Sequence, residues 1–156
     1  MRSTKTSARR GVFFLCCFGA LTASLPGCGK EKDRLLPVEG KVMLGDKPLV
    51  TDAHTQGYVT LYPDKAKGNE SLEIPLGTID SKGNYEIFTR TNPGAAPGWY
   101  KVTVTAAPVV DPKNPYLKKT GWLMAERYID KDTSKLAFEV VADPAAGAYD
   151  LTVLPK

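Results

Sequence analysis

The sequence contains few of the residues that most often carry chemistry. Histidine occurs once in 156 residues, at position 54, and cysteine occurs three times. Two of the cysteines, Cys16 and Cys17, lie inside an apolar run near the amino terminus. Zinc sites are built mainly from several cysteines and histidines, and a disulfide needs two available cysteines. The composition therefore predicts no metal, no cofactor and no disulfide framework.

The sequence also lacks an apolar run of the length that spans a bilayer. A membrane-spanning helix needs about 20 apolar residues, whereas the run at residues 11–25 has 15. Basic residues and no acidic residue precede this run. A basic segment followed by a short apolar run is typical of a secretory signal peptide. We therefore predict that residues 1–27 are a cleaved signal peptide.

Neither sign of charge is in excess once that segment is set aside. The full chain has 21 Lys and Arg and 17 Asp and Glu, but four of the basic residues and none of the acidic residues precede Cys28. Residues 28–156 therefore carry 17 charges of each sign. A neutral domain has no long-range attraction for a polyanion, so we predict no nucleic-acid partner.

The apolar run ends at Leu25-Pro26-Gly27-Cys28, which resembles the lipobox of bacterial lipoprotein signal peptides. The resemblance implies that Cys28 is lipidated and that residues 28–36 form a lipidated cysteine and a charged tether. It implies a membrane partner and a place in the bacterial cell envelope. Because Gly29 is not the aspartate that retains some lipoproteins at the inner membrane, the outer membrane is expected where the host has one. The alternative is an ordinary secretory signal with an unmodified cysteine.

Residues 37–156 show the alternation of short strands separated by turns. Apolar and polar residues alternate in seven segments: 38–44, 58–62, 76–80, 85–90, 99–105, 136–140 and 149–153. A period of two is typical of strands with one buried face. We therefore predict one all-β domain over residues 37–156, in which Val59 and Leu61 belong to the core.

The connections between these segments carry their own signals. Gly83 in Ser81-Lys82-Gly83-Asn84 can adopt the positive φ that a short hairpin turn needs. Residues 51–56 read as a polar loop, and residues 109–121, which contain two prolines, as an irregular excursion. Residues 122–128 are expected to form one helical turn.

Five short motifs, taken in order, resemble those of carboxypeptidase-regulatory-like and transthyretin-like modules. They are Val38-Glu39-Gly40-Lys41-Val42, Gly45-Asp46-Lys47-Pro48-Leu49, the segments 58–63 and 77–85, and Pro97-Gly98-Trp99-Tyr100-Lys101-Val102. The later part, through residues 127–151, is similar to bacterial envelope lipoproteins that carry this module. The resemblance implies a seven-stranded, prealbumin-like (Ig-like) β-sandwich. It also implies a non-catalytic structural or binding function in the envelope.

Three aromatic residues are candidates for ligand binding. If Val59 and Leu61 point inward, Tyr58 and Tyr62 point outward, and Trp99 points outward on its own strand. Exposed aromatic rings can stack on the apolar faces of sugar rings. The alternative function is therefore a receptor subunit that binds an envelope glycan or protein through these aromatics. The simpler interpretation is that residues 109–121 cover them.

Two further alternatives concern catalysis and calcium. His54 stands beside Asp52 and is the sole candidate base for a Ser-His-Asp arrangement, but we expect an exposed loop histidine and no enzyme activity. Asp130, Asp132, Thr133 and Ser134 are hard oxygen donors of the kind calcium prefers. The alternative, which we favour, is that these residues form a turn before the next strand.

Overall fold

In the computed structural model, which describes residues 34–109 and 121–156, the chain is mostly β-strand with no helix as long as seven residues. The predicted all-β class is confirmed. The described residues form nine strands rather than the seven predicted, because two additional strands of two residues each are present at Lys47–Pro48 and Asn92–Pro93. The strands are β1 Glu39–Leu44, β2 Lys47–Pro48, β3 Thr55–Pro63, β4 Leu76–Ile79, β5 Asn84–Thr89, β6 Asn92–Pro93, β7 Gly98–Pro108, β8 Leu136–Val140 and β9 Leu151–Val153.

The strands form one curled sheet in the order β2-β1-β5-β4-β3-β7-β8, with β6 beside β5 and β9 beside β1. The longest pairing joins β3 to β7 and runs from Thr55 opposite Pro108 to Pro63 opposite Tyr100. All pairings between these strands are antiparallel except the one between β1 and β9, which is parallel. Some strands that follow each other directly, such as β4 and β5, are neighbours, whereas β2 and β3, β6 and β7, and β8 and β9 are not paired.

The sheet curls because β1 changes partners halfway along its length. Its first half pairs with β5, from Glu39 to Lys41, and its second half pairs with β2 and β9. Strand β8, at the opposite end of the strand order, lies close to the segment that leads into β9. The ring of Phe138 on β8 lies 4.9 Å from the ring of Tyr149, two residues before β9, at an interplanar angle of 51°. Both ends of the sheet therefore close around one core.

The core is formed by the inward side chains of every long strand, and Val59 and Leu61 are fully buried as predicted. The packing at Gly40 is especially close, because a Cβ there would lie 2.5 Å from the carbonyl oxygen of Tyr149. The hydroxyl of Tyr85 donates to that same carbonyl oxygen. Burial raises the pKa of Tyr85 far above its ordinary value, so the hydroxyl keeps the proton that it donates.

The hairpin between β4 and β5 follows its prediction. Gly83 has a φ of +84°, and the carboxylate of Asp80 accepts hydrogen bonds from the backbone N–H groups of Lys82 and Asn84 at 2.7 and 2.8 Å. The predicted helical turn is present as a 3-10 turn at Glu126–Ile129. The predicted polar loop at 51–56 is wrong at its end, because Thr55 and Gln56 already pair with β7.

Several predictions fall on residues that the structure does not describe. Residues 1–27 and Cys28 lie outside the described residues, as does most of the tether. So does the predicted excursion, apart from Val109 and Gly121 at its ends.

Candidate functional site

The three predicted aromatic residues lie on one face of the sheet. Tyr58 is opposite Thr105 and Tyr62 is opposite Lys101, and Trp99 precedes Lys101 by two residues on β7. Directly opposed residues of antiparallel strands share a face, and residues two apart on one strand share it too. We call Tyr58, Tyr62 and Trp99 the aromatic row. Each of its side chains is half-buried.

The loop after β3 holds one end of the aromatic row in place. Asp64 and Asn69 in this loop are both buried. The backbone N–H of Asp64 donates to the carbonyl oxygen of Trp99 at 3.0 Å, and the side-chain Nδ2 of Asn69 donates to the same oxygen at 2.9 Å. Between them, the ammonium of Lys67 lies 3.4 Å from the centroid of the Trp99 ring. A cation over an indole face is attracted by the ring quadrupole. One face of Trp99 is thus already covered by a charged group of the chain itself.

A cluster of charges lies in the middle of the row, beside Tyr62. Lys101 Nζ lies 2.8 Å from one carboxylate oxygen of Asp132, and Lys131 Nζ lies 2.7 Å from the other. The hydrogen bond from Lys101, followed by that from Lys131, lowers the pKa of Asp132 to about 2. A ligand on this face would therefore meet aromatic side chains next to an ion-paired carboxylate.

The oxygen atoms proposed for calcium are engaged within a turn. The carboxylate of Asp130 accepts from the backbone N–H groups of Asp132 and Thr133, at 2.8 and 3.2 Å. The hydroxyl of Thr133 donates to the carbonyl oxygen of Arg127, and the buried hydroxyl of Ser134 donates to that of Val102. These bonds are those of a turn that leads into β8. Within residues 34–109 and 121–156, no three His, Cys, Asp or Glu side chains converge as a metal site requires.

His54 is exposed in the tight turn that precedes β3. Its contact with Asp52 runs through the backbone, because the N–H of His54 donates to the Asp52 carboxylate at 2.8 Å. The same turn is closed by reciprocal backbone hydrogen bonds between Asp52 and Thr55. The proximity of His54 and Asp52 in sequence therefore reflects turn formation, in which an aspartate accepts from the residue two positions later.

One surface was not anticipated from the sequence. An open cleft of about 1110 Å³ lies over β1, β4 and β5, and its apolar lining includes Ile74, Leu76 and Phe88. The ion pair of Glu73 and Arg90 stands at its border, with 2.5 Å between Arg90 Nη2 and Glu73 Oε1. The signal was present in the sequence, since apolar residues alternate through Leu72, Ile74 and Leu76. In the structure these three side chains are exposed.

Comparison with protein families, with curated proteins and with solved structures finds no match for this chain. In the part of the chain that the structure describes, no helix is both long enough and apolar enough to cross a membrane.

Proposed function

We propose that this protein is a lipid-anchored, exported and non-catalytic module of the bacterial cell envelope, serving a structural or binding function. The observation that carries the proposal is the tetrapeptide Leu25-Pro26-Gly27-Cys28 at the end of a basic and apolar leader. A second observation supports it. The chain enters the fold within a few residues of that cysteine, since Leu36 is buried and exchanges backbone hydrogen bonds with Ala95 at 2.8 and 2.9 Å.

We further propose that the curled sheet is a prealbumin-like β-sandwich, in which the two ends of the strand order form opposing layers. The contact between Phe138 and Tyr149 supports this arrangement. So does the segment from Leu123 to Ala125, which joins the two ends through hydrogen bonds. The N–H of Leu123 donates to Ala106 on β7, and the N–H of Ala125 donates to Leu154 just after β9, both at 3.0 Å.

The acylation of Cys28 is tested by Cys28→Ser in a bacterial host, with fractionation and intact mass as readouts. The unaltered protein is expected to partition into detergent and to carry the mass of its acyl groups. One acyl chain anchors only marginally, so two or more are expected for stable attachment. Because the domain is neutral, it adds no electrostatic attraction to anionic lipid, and attachment should depend on this one thiol.

The matched control is Ser24→Ala, which changes a small side chain just outside the tetrapeptide and should leave acylation unchanged. The Cys28→Ser protein should lack the acyl mass and should remain in the membrane only through an uncleaved signal. An unaltered protein that is soluble, unacylated and cleaved elsewhere would contradict the lipid anchor.

The alternative function, a receptor subunit for an envelope glycan or protein, is favoured by the placement of the aromatic row on one face. Its test is a glycan array with the unaltered protein, Trp99→Ala and Phe88→Ala. Phe88 is an exposed aromatic residue outside the row and serves as the control. A glycan signal that disappears in Trp99→Ala and persists in Phe88→Ala would establish the alternative, because stacking contributes strongly to sugar binding. A signal that both variants retain would argue against the row as its site.

A further inference from the structure

The outer side of β4 and the residues leading into it carry exposed apolar side chains. Leu72 is 87% exposed, Ile74 55%, Leu76 43%, and Phe88, the register partner of Leu76, 38%. Between them, Pro75 is buried and Glu73 is less exposed, so apolar residues occupy every outward position of this segment. We call Leu72, Ile74, Leu76 and Phe88 the apolar ridge. A contiguous exposed apolar surface of this kind marks an interaction site more often than scattered single residues do.

The apolar ridge lies beside the point where the amino-terminal tether joins the domain. Leu35 lines a groove together with Glu70, Ser71 and Glu73, the residues that flank Leu72. Seven residue steps separate Leu35 from Cys28, so a fully extended tether reaches at most about 25 Å. The most exposed member of the ridge is therefore held close to the position of the lipid.

The charge within this segment is compensated. Glu73 lies between Leu72 and Ile74, and both of its carboxylate oxygens accept from the guanidinium of Arg90. An unpaired carboxylate is costly to remove from water, whereas a paired one with satisfied hydrogen bonds is less so. Glu73 can thus approach an apolar phase with its own charge compensated by Arg90.

We propose that the apolar ridge docks into the lipid surface to which Cys28 is anchored, so that the domain lies on the bilayer in one orientation. This inference rests on the proposed lipid anchor. The short tether raises the effective concentration of the bilayer at the ridge. Insertion of a few side chains is therefore enough to keep the ridge bound to the bilayer for most of the time. Leu72 and Ile74 enter the interface first, because they are the most exposed and the nearest to the tether.

The chain offers a matched control at the opposite end of the same hairpin. Val50 is 52% exposed, close to the value for Ile74. Its neighbour Thr51 donates to the carbonyl oxygen of Asp80, at the turn between β4 and β5, whereas Leu76 and Phe88 lie at the far ends of those strands. A side chain at position 50 is thus equally apolar and equally exposed, but remote from the ridge.

The experiment measures the depth of each position in the bilayer. Cys28 is the last cysteine in the sequence, so Leu72→Cys, Ile74→Cys and Val50→Cys each add one free thiol to the acylated protein. Each is labelled with an environment-sensitive fluorophore and reconstituted into phosphatidylcholine vesicles containing nitroxide-labelled lipid. Quenching at positions 72 and 74 is expected to exceed that at position 50 by about twofold or more, with a blue-shifted emission, as for side chains in the acyl boundary.

Two readouts keep the outcomes separate. Intact mass reports acylation, and quenching reports docking. An acylated protein quenched equally at positions 72 and 50 overturns the docking and leaves the anchor standing, whereas a missing acyl mass overturns both. A label at position 72 could instead escape quenching by the lipid and become shielded from aqueous iodide as the protein concentration rises. That result would show that a second copy of the protein covers the ridge, and it would overturn lipid docking. Quenching that requires anionic lipid would overturn apolar insertion, since the ridge acts without net charge.

Discussion

The two faces of β3 and β7 differ although the same two strands form both. On the inner face Val59, Leu61, Val102 and Val104 are fully excluded from solvent. On the outer face the residues of the aromatic row are half-buried, with an ammonium group over Trp99 and an ion pair beside Tyr62. The pleat places alternate residues on opposite sides, so two strands supply both a packed core and a chemically varied surface. Stability therefore depends on the inner residues, and the ligand binding that we propose as the alternative function would depend on the outer ones.

The difference determines which substitutions the fold tolerates. An inner side chain has close apolar neighbours on every side, so its removal leaves a cavity. A half-buried side chain of the aromatic row contacts groups that can move or regain water, as Lys67 can over Trp99. The residues proposed to bind a ligand can therefore be changed with little loss of stability, which makes their functional tests interpretable.

The largest effect is expected from truncation on the inner face. Leu61→Ala should lower the free energy of unfolding by about 2–5 kcal/mol, the range for removing a buried leucine side chain. Its sequence neighbour Thr60, on the outer face, is the control, and Thr60→Ala should change stability by about 0.5 kcal/mol or less. Denaturant unfolding measures both values. Equal losses for the two variants would contradict the assignment of faces.

A smaller effect is expected where the chain turns between strands. Gly83→Val should cost about 1–3 kcal/mol, because φ is +84° and a Cβ would lie 3.0 Å from Pro48 Cβ and 3.1 Å from the carbonyl oxygen of Val42. Gly45 has a φ of +60° with no atom within 4 Å of an added Cβ, so Gly45→Val isolates the cost of the backbone conformation. Thermal unfolding should show Gly83→Val as the less stable of the two. The reverse order would mean that backbone strain, and not close packing, dominates at the turn.

The smallest effect concerns the charges beside the aromatic row. Hydrogen bonds from Lys101 and Lys131 lower the pKa of Asp132 from 3.8 to about 2, so the folded protein binds a proton at this carboxylate more weakly than the unfolded chain does. The contribution of Asp132 to stability is therefore present above about pH 4 and is lost as the pH falls towards 2. It should be small and reduced by salt, because the pair is exposed.

The measurement compares the melting temperatures of the unaltered protein and Asp132→Asn across this pH window. The small difference expected at about pH 6 should close as the pH falls towards 2. A difference that persists at the lowest pH would show that the charge of Asp132 is not its cause. The effect should be smaller than that of Leu61→Ala, in keeping with the contrast between the two faces.

Much of the fold was predictable from residues close together in sequence. The alternation at residues 58–62 identifies both a strand and its buried residues, because the pleat is a property of the local backbone. The turn at Gly83 was predictable for the same reason. The start of β3 was not, since Thr55 and Gln56 belong to the strand through pairing with residues on β7 about fifty positions later.

The candidate site was predictable only in part. The outward orientation of Tyr58, Tyr62 and Trp99 follows from alternation within each strand. Their assembly into a row depends on β3 and β7 being neighbours, which no local pattern encodes. The cation over Trp99 and the carboxylate between Lys101 and Lys131 come from loops whose paths depend on tertiary packing.

By itself the sequence determined the all-β class, the central residues of the long strands, the inward pair Val59 and Leu61, and the neutrality of residues 28–156. Each of these depends on composition or on neighbouring residues. Tertiary structure alone decided the exchange of partners along β1 and the adjacency of β3 and β7. It also exposed the apolar side chains of Leu72 and Ile74, although their alternation resembles that of a buried strand. Burial is decided by what the rest of the chain places over a face, and a period of two records only that two faces exist.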